Sequence, residues 1–106
     1  MREPAALQAA LALVTRPAQA RTASLQPLPS GMTFLLEVAV GDQDALTEAR
    51  QLTGRGDDVL RQAAGFFIEQ GLLSHSTDSY RILGARSEYP HAALRRHMVL
   101  LMKWLH

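Results

Sequence analysis

Apolar and polar positions alternate at helical spacing in the N-terminal part of the chain. In residues 4–14, leucine and valine recur every three to four positions on an alanine-rich background, which predicts a helix. Pro4 suits its first turn, where a backbone N–H is not needed. Pro17 ends it, because a proline disfavours helical dihedrals in the residue before it. The prolines and small polar residues that follow predict a linker up to residue 30.

Residues 32–40 are apolar on almost every side. Their apolar positions fall at i, i+3, i+4, i+7 and i+8, the spacing of one helix face, while Phe34 and Val38 lie on the opposite side. A strand is the alternative, because the run is short and partly β-branched. The spacing favours the helix, and a helix that is apolar all round is expected to be buried on several sides.

Two amphipathic helices are predicted next, at residues 43–53 and 58–70. Asp42 and Asp57 precede them and are expected to cap their free backbone N–H groups. Gly71 is expected to end the second helix. Leu52 and Val59 are assigned to the inward faces, together with the remaining leucines, alanines and aromatic residues of both segments.

The C-terminal part predicts a short helical turn at residues 80–83 and a long last helix. In that helix one apolar stripe is expected, formed by Leu94, Met98, Leu101 and Leu105. The chain as a whole is therefore expected to be all-α, a small single-domain helical bundle of about five helices plus one short turn. It divides into an N-terminal helix and linker (1–30), a helical core (31–79) and a C-terminal segment (80–106).

Composition and charge exclude several classes of function. A length of 106 residues suits one domain, and the absence of cysteine excludes disulfides and thiolate metal sites. No apolar run approaches the length of a membrane span, and a charged, interrupted N-terminus disfavours a cleaved signal, so a cytoplasmic location is expected. Residues 37–78 are net acidic and residues 79–106 net basic. This asymmetry fits either two faces attracting each other or a basic surface offered to an acidic partner.

Candidate chemistry is sparse. The serine, histidine and aspartate in residues 74–78 are neighbours on one short loop, which does not hold triad geometry by itself. The histidines are not spaced as ligands on one helix face, and each is expected at the surface. No phosphate-binding loop is present. We therefore expect no catalytic residue, no metal and no cofactor, and predict that the protein is not an enzyme.

Residues 80–106 resemble the first half of a DnaJ-type J domain. A tyrosine, an aliphatic pair and a glycine at residues 80–84 lead through a polar loop into a basic amphipathic helix that reaches His106. In an ungapped alignment, Tyr80, Gly84 and Leu94 meet the corresponding family positions, and His106 meets the histidine of the His-Pro-Asp signature. The match covers 27 of the 106 residues and ends before the Pro-Asp of that signature.

The resemblance implies a protein partner. In that family the basic face of the second helix and the signature loop dock on the ATPase of the seventy-kilodalton heat-shock chaperone. The expected partner-binding residues are then Arg95, Arg96, Lys103 and His106, and the expected function is a non-enzymatic interaction module, a J-domain-like co-chaperone. A solvated helix face is an equally good explanation of the cations on sequence alone.

Two alternatives remain open. Residues 67–83 have the order of a helix followed by a β-wing, as in winged-helix nucleic-acid binders, with Arg81 and Arg86 facing phosphates. An acidic, largely apolar preceding helix disfavours nucleic acid. The second alternative is a helical dimerisation or adaptor domain, in which the apolar surfaces of residues 32–40 and 66–68 are shared with a second copy.

Overall fold

The structure, a computed structural model, describes residues 3–16, 18, 28–73 and 90–105. In this part of the chain there are five α-helices and no β-strand, which confirms the predicted all-α class. A π-helical segment, Ile68–Leu73, continues the fourth helix directly. The helices are α1 (Ala5–Thr15), α2 (Met32–Ala39), α3 (Gln43–Thr53), α4 (Asp57–Phe67) and α5 (His91–Leu105).

Helix α2 lies at the centre of the bundle. It packs against α1, α3, α4 and α5, so almost every side of it meets another helix. Phe34, Leu35, Leu36 and Val38 are all buried, although they point in different directions around the helix. The prediction of a helix buried on several sides is therefore confirmed, and the strand alternative is wrong.

Helix α1 packs mainly on α4, and its buried side chains belong to the same core. Both helices bury small residues, Ala6 and Ala10 on α1 and Ala63 and Ala64 on α4. Small side chains let two helix backbones approach closely. The backbone N–H of Ala6 also donates to the carbonyl of Ser30 at 2.9 Å, which ties the start of α1 to the start of α2.

The turn between α2 and α3 follows the predicted chemistry. Gly41 has a φ of +84°, a left-handed conformation that glycine adopts without a Cβ clash. The Asp42 carboxylate accepts a hydrogen bond from the backbone N–H of Ala45 at 2.9 Å. The predicted cap on α3 is thereby confirmed.

The predicted cap on α4 is wrong. Gly56 is the capping residue, and Asp57 is the first residue of the helix. Its carboxylate is used instead by Arg50, whose Nη1 donates at 2.7 Å across the α3–α4 turn. The acidic side chain still lies at the positive end of the helix dipole, where a carboxylate is favoured.

The predicted end of the fourth helix at Gly71 is also wrong, because helical backbone continues to Leu73. Ile68 and Leu72 are fully buried, so the core extends along this continuation. Gly71 is buried against Phe67, whose ring would lie 3.2 Å from an added Cβ. Glycine therefore permits close packing there and does not end the helix.

Two side chains assigned to inward faces lie outward. Leu52 on α3 and Val59 on α4 are both exposed. The predicted turn at residues 80–83 lies outside the described residues, as does most of the linker in residues 17–30. The same holds for residues 79–83, which distinguish a J-domain-like turn from a β-wing.

Candidate interaction surface on α5

The buried face of α5 differs from the predicted stripe. His97, Leu100 and Leu101 are buried and Trp104 is half-buried, at spacings of i, i+3, i+4 and i+7. Of the predicted stripe, Leu101 is buried and Leu94 half-buried, which agrees with the expected packing role. Met98 and Leu105 are exposed, so their predicted place in the core is wrong.

His97 was expected at the surface and is fully buried. Its Nε2 shares a hydrogen bond with the Oγ1 of Thr33 on α2. A buried polar group needs such a partner to offset the loss of water. The sequence does contain a signal for this pair: Thr33 is a polar exception on a nearly all-apolar helix, and His97 has helical spacing with Leu100 and Leu101.

The opposite face of α5 carries large apolar side chains that no described element covers. We call these residues the α5 outer stripe: Met98, Val99, Met102 and Leu105, with exposed fractions of 45%, 42%, 64% and 64%. A shallow apolar depression is lined by Val99, Met102 and Leu105 together with Lys103. Single exposed apolar residues are ordinary, but a contiguous group on one helix is typical of an interaction site.

The four predicted partner-binding residues have different environments. Arg95 and Lys103 are exposed, and neither forms an ion pair within the described part of the chain. Arg96 is also exposed, but its Nη2 lies 3.2 Å from the Oε2 of Glu37, whose side chain is only 12% exposed. Arg96 therefore holds α5 against α2. His106 lies outside the described residues.

A cleft of about 530 Å³ lies beside the outer stripe, where the end of α2 meets α4 and α5. Arg61 and Lys103 face it, and the ring of Trp104 forms part of its wall. Lys103 borders both the cleft and the outer stripe, so the two form one continuous surface. The remaining lining residues are Ala39, Val40, Asp58 and Gln62.

Two side chains around this cleft, those of Trp104 and Arg61, each lie over a glycine of a neighbouring segment. Trp104 packs over Gly65 of α4, where an added Cβ would lie 3.5 Å from the indole ring. The guanidinium of Arg61 lies over Gly41, with its Cζ 3.2 Å from the position of an added Cβ. Arg61 is thus held over the carboxyl end of α2, where the helix dipole favours a cation.

Within the described residues, no group of three or more histidine or carboxylate side chains is placed to hold a metal ion. None of the described helices combines the length and apolar character that crossing a bilayer requires.

The fold and this surface define the class of the molecule, a small all-α domain with a two-sided last helix. Comparison with known proteins finds no relative: no family model, no curated protein and no solved structure matches the chain significantly.

Proposed function

We propose that the protein is a non-enzymatic interaction module that binds a partner protein through the α5 outer stripe. The observation that carries this proposal is the exposure of Met98, Val99, Met102 and Leu105 on a helix whose other face is already buried in the core. These side chains leave 42–64% of their surface exposed in the described part of the bundle, and contiguous exposed apolar groups favour association.

The spacing of the outer stripe suits a helical or grooved partner. Met98, Met102 and Leu105 are separated by four and three residues, so they project from one side of α5. Apolar anchors at this spacing are typical of helix-in-groove recognition. Two of the three are methionines, whose unbranched side chains adapt to an irregular partner surface.

A J-domain-like co-chaperone is the more specific form of this proposal. The resemblance of residues 80–106 supports it, as does the exposure of Arg95 and Lys103. The partner in that form is the ATPase of a seventy-kilodalton heat-shock chaperone. Arg95 and Lys103 supply the electrostatic contact, since Arg96 is engaged by Glu37.

The general proposal is tested by selecting binders from a library of helix-forming peptides against the full chain. We expect binders whose affinity falls at least about tenfold for the Met102→Gln/Leu105→Gln variant, because each substitution removes a contact of roughly 1 kcal/mol or more. The matched control is Leu52→Gln/Val59→Gln, which changes two exposed apolar residues on α3 and α4. Binders that ignore the stripe, or that respond equally to the control, contradict the proposal.

The co-chaperone form has its own test, the affinity of the protein for a purified seventy-kilodalton chaperone. We expect the wild-type chain to bind and the Arg95→Gln/Lys103→Gln variant to lose that binding. Arg55→Gln, in the loop between α3 and α4, should leave the affinity unchanged. If the wild-type chain does not bind, this form is wrong and the general proposal remains testable by peptide selection.

A homodimer is the second candidate. The surfaces expected for it, in residues 32–40 and 66–68, lie mostly in the core of one chain, so that part of the expectation is wrong. The outer stripe is the exposed apolar surface that supports a dimer. Light scattering at micromolar concentration tests it, because a strict monomer excludes a stable dimer. Charge counts against it: α5 carries Arg95, Arg96 and Lys103 and no carboxylate, so two copies of the helix would bring like charges together.

A further inference from the structure

We infer that the cleft beside the outer stripe receives a carboxylate from the partner protein, so that the partner is an amphipathic segment with apolar anchors and an acidic side chain next to them. This inference rests on the proposed function and identifies the chemistry of the partner. The residues that carry it are Arg61 on α4 and Lys103 and Trp104 on α5, which face one space of about 530 Å³.

The first step concerns charge. Arg50 and Arg96 both have carboxylate partners within the fold, Asp57 at 2.7 Å and Glu37 at 3.2 Å. Arg61 and Lys103 form no ion pair within the described part of the chain. Asp58 also lines the cleft, but one carboxylate against two cations leaves the lining with a net positive charge. An added carboxylate therefore meets two available cations.

The second step concerns position. Arg61 is exposed, but its guanidinium lies against Gly41 at the α2–α3 turn, and this contact restricts where the charge can be. An arginine that is already oriented loses less conformational entropy when it pairs with a carboxylate. Trp104 forms the wall beside it, so an acidic side chain entering the cleft places its methylene groups against an aromatic ring.

The third step concerns continuity. Lys103 touches both surfaces, and Met102 and Leu105 flank it in sequence. Val99, Met102 and Lys103 line one depression, so a partner segment that lies on Val99 and Met102 meets the edge of the cleft at Lys103. Apolar anchors supply most of its affinity, and the cations at the rim select for an acidic neighbour and against a basic one.

An anionic membrane surface shares the two elements of this chemistry, since basic amphipathic helices also bind headgroups. The cleft favours the protein partner. It is a recess into which a side chain can enter, with cations contributed by two different helices, whereas a membrane surface is contacted by charges spread along the plane of one helix.

The experiment extends the peptide selection. Stripe-dependent binders are expected to share a Glu or Asp beside their apolar anchors, and replacing it by Gln should weaken binding about 2–5-fold, the range of a partly exposed ion pair. The same replacement should have no effect on binding to the Arg61→Gln/Lys103→Gln variant, because the cations it meets are gone. Trp104 is the sole tryptophan, so its fluorescence should change when an acidic peptide binds and change less with the Gln peptide.

Each outcome decides. Binders that depend on Met102 and Leu105 but carry no acidic preference, or whose Glu→Gln effect persists in Arg61→Gln/Lys103→Gln, overturn the inference and leave the proposed function standing. Binding that does not depend on the stripe overturns both. Two further outcomes also overturn the inference. If no peptide is selected and the protein sediments with phosphatidylserine vesicles through the stripe, the surface binds a membrane. If the protein forms a stripe-dependent dimer at micromolar concentration, the surface binds a second copy.

Discussion

Gly31 combines a left-handed backbone conformation with a close approach to another segment. Its φ is +86°, and an added Cβ would overlap the carbonyl oxygen of Glu3. Gly54 also has a positive φ, of +70°, but nothing lies within 4 Å of its added Cβ. The two glycines therefore separate the cost of a left-handed conformation from the cost of a close approach between two segments of backbone.

We predict that Gly54→Ala lowers the free energy of unfolding by about 1–2 kcal/mol, the cost of a left-handed conformation. Gly31→Ala should cost roughly 3 kcal/mol or more, because the N-terminal segment must also move. Urea denaturation followed by circular dichroism measures both. Equal losses would mean that Glu3 does not approach Gly31 as closely as the structure describes.

The hydrogen bond between Thr33 and His97 gives the second prediction at this scale. Thr33→Val keeps the shape of the side chain and removes the hydroxyl that bonds the His97 Nε2. Because His97 is fully buried, water does not replace that hydroxyl freely, and we expect a loss of about 1–3 kcal/mol in the free energy of unfolding.

Thr15→Val is the matched control for that substitution. The Thr15 hydroxyl bonds only the nearby Ala12 carbonyl at 2.8 Å and is exposed, so its removal should cost under about 0.5 kcal/mol. Similar effects at both threonines would contradict a structural role for the pair between α2 and α5.

At the scale of elements, α4 and α5 meet where the Trp104 ring lies over Gly65. Glycine inside a helix costs about 0.5–1 kcal/mol relative to alanine. An added Cβ at Gly65 would lie 3.5 Å from the Trp104 ring, which is ordinary van der Waals contact. We therefore predict that Gly65→Ala raises the free energy of unfolding by about 0.5–1 kcal/mol, measured by thermal unfolding.

Gly71→Ala is the comparison for that prediction. There the added Cβ would lie 3.2 Å from the ring of Phe67, in a buried and π-helical segment, so the gain should be absent or reversed. A destabilised Gly65→Ala protein would show that Trp104 sits closer to α4 than the structure describes.

The order and kind of the described elements follow from the sequence because apolar spacing sets them directly. Residues 32–40 are the clearest example. Their i, i+3 and i+4 spacing predicts a helix, their β-branched residues favour a strand, and the structure has a helix at Met32–Ala39. Polar side chains at the turns predict the helix caps less well. The Asp42 carboxylate caps α3, whereas the Asp57 carboxylate pairs with Arg50 and Gly56 takes the cap position of α4.

The orientation of α5 did not follow from its sequence. Residues 98–102 are all apolar, so more than one face of the helix could have been buried. The choice depends on features of other helices: Thr33 shares a hydrogen bond with His97, and Trp104 packs over Gly65. The periodicity of one helix carries no information about such contacts with distant segments. Periodicity alone therefore predicts Met98 and Leu105 in the core and leaves His97 at the surface.

At the scale of the whole molecule, the position of α1 gives a prediction. Leu7 is as fully buried as Leu36 on the central helix. If α1 is part of the single cooperative unit, Leu7→Ala should lower the free energy of unfolding by about 2–5 kcal/mol, as Leu36→Ala should. Chemical denaturation of both variants measures this. A Leu7→Ala protein with an unchanged main transition would show that α1 unfolds separately.

The pairing of α1 with α4 also has a consequence for biosynthesis. About forty residues separate the end of α1 from the start of its principal neighbour. At roughly 5–20 residues per second, the ribosome needs roughly 2–8 seconds to translate them. Throughout that interval the apolar side of α1 lacks its principal neighbour, so α1 reaches its final surroundings only after α4 has been made.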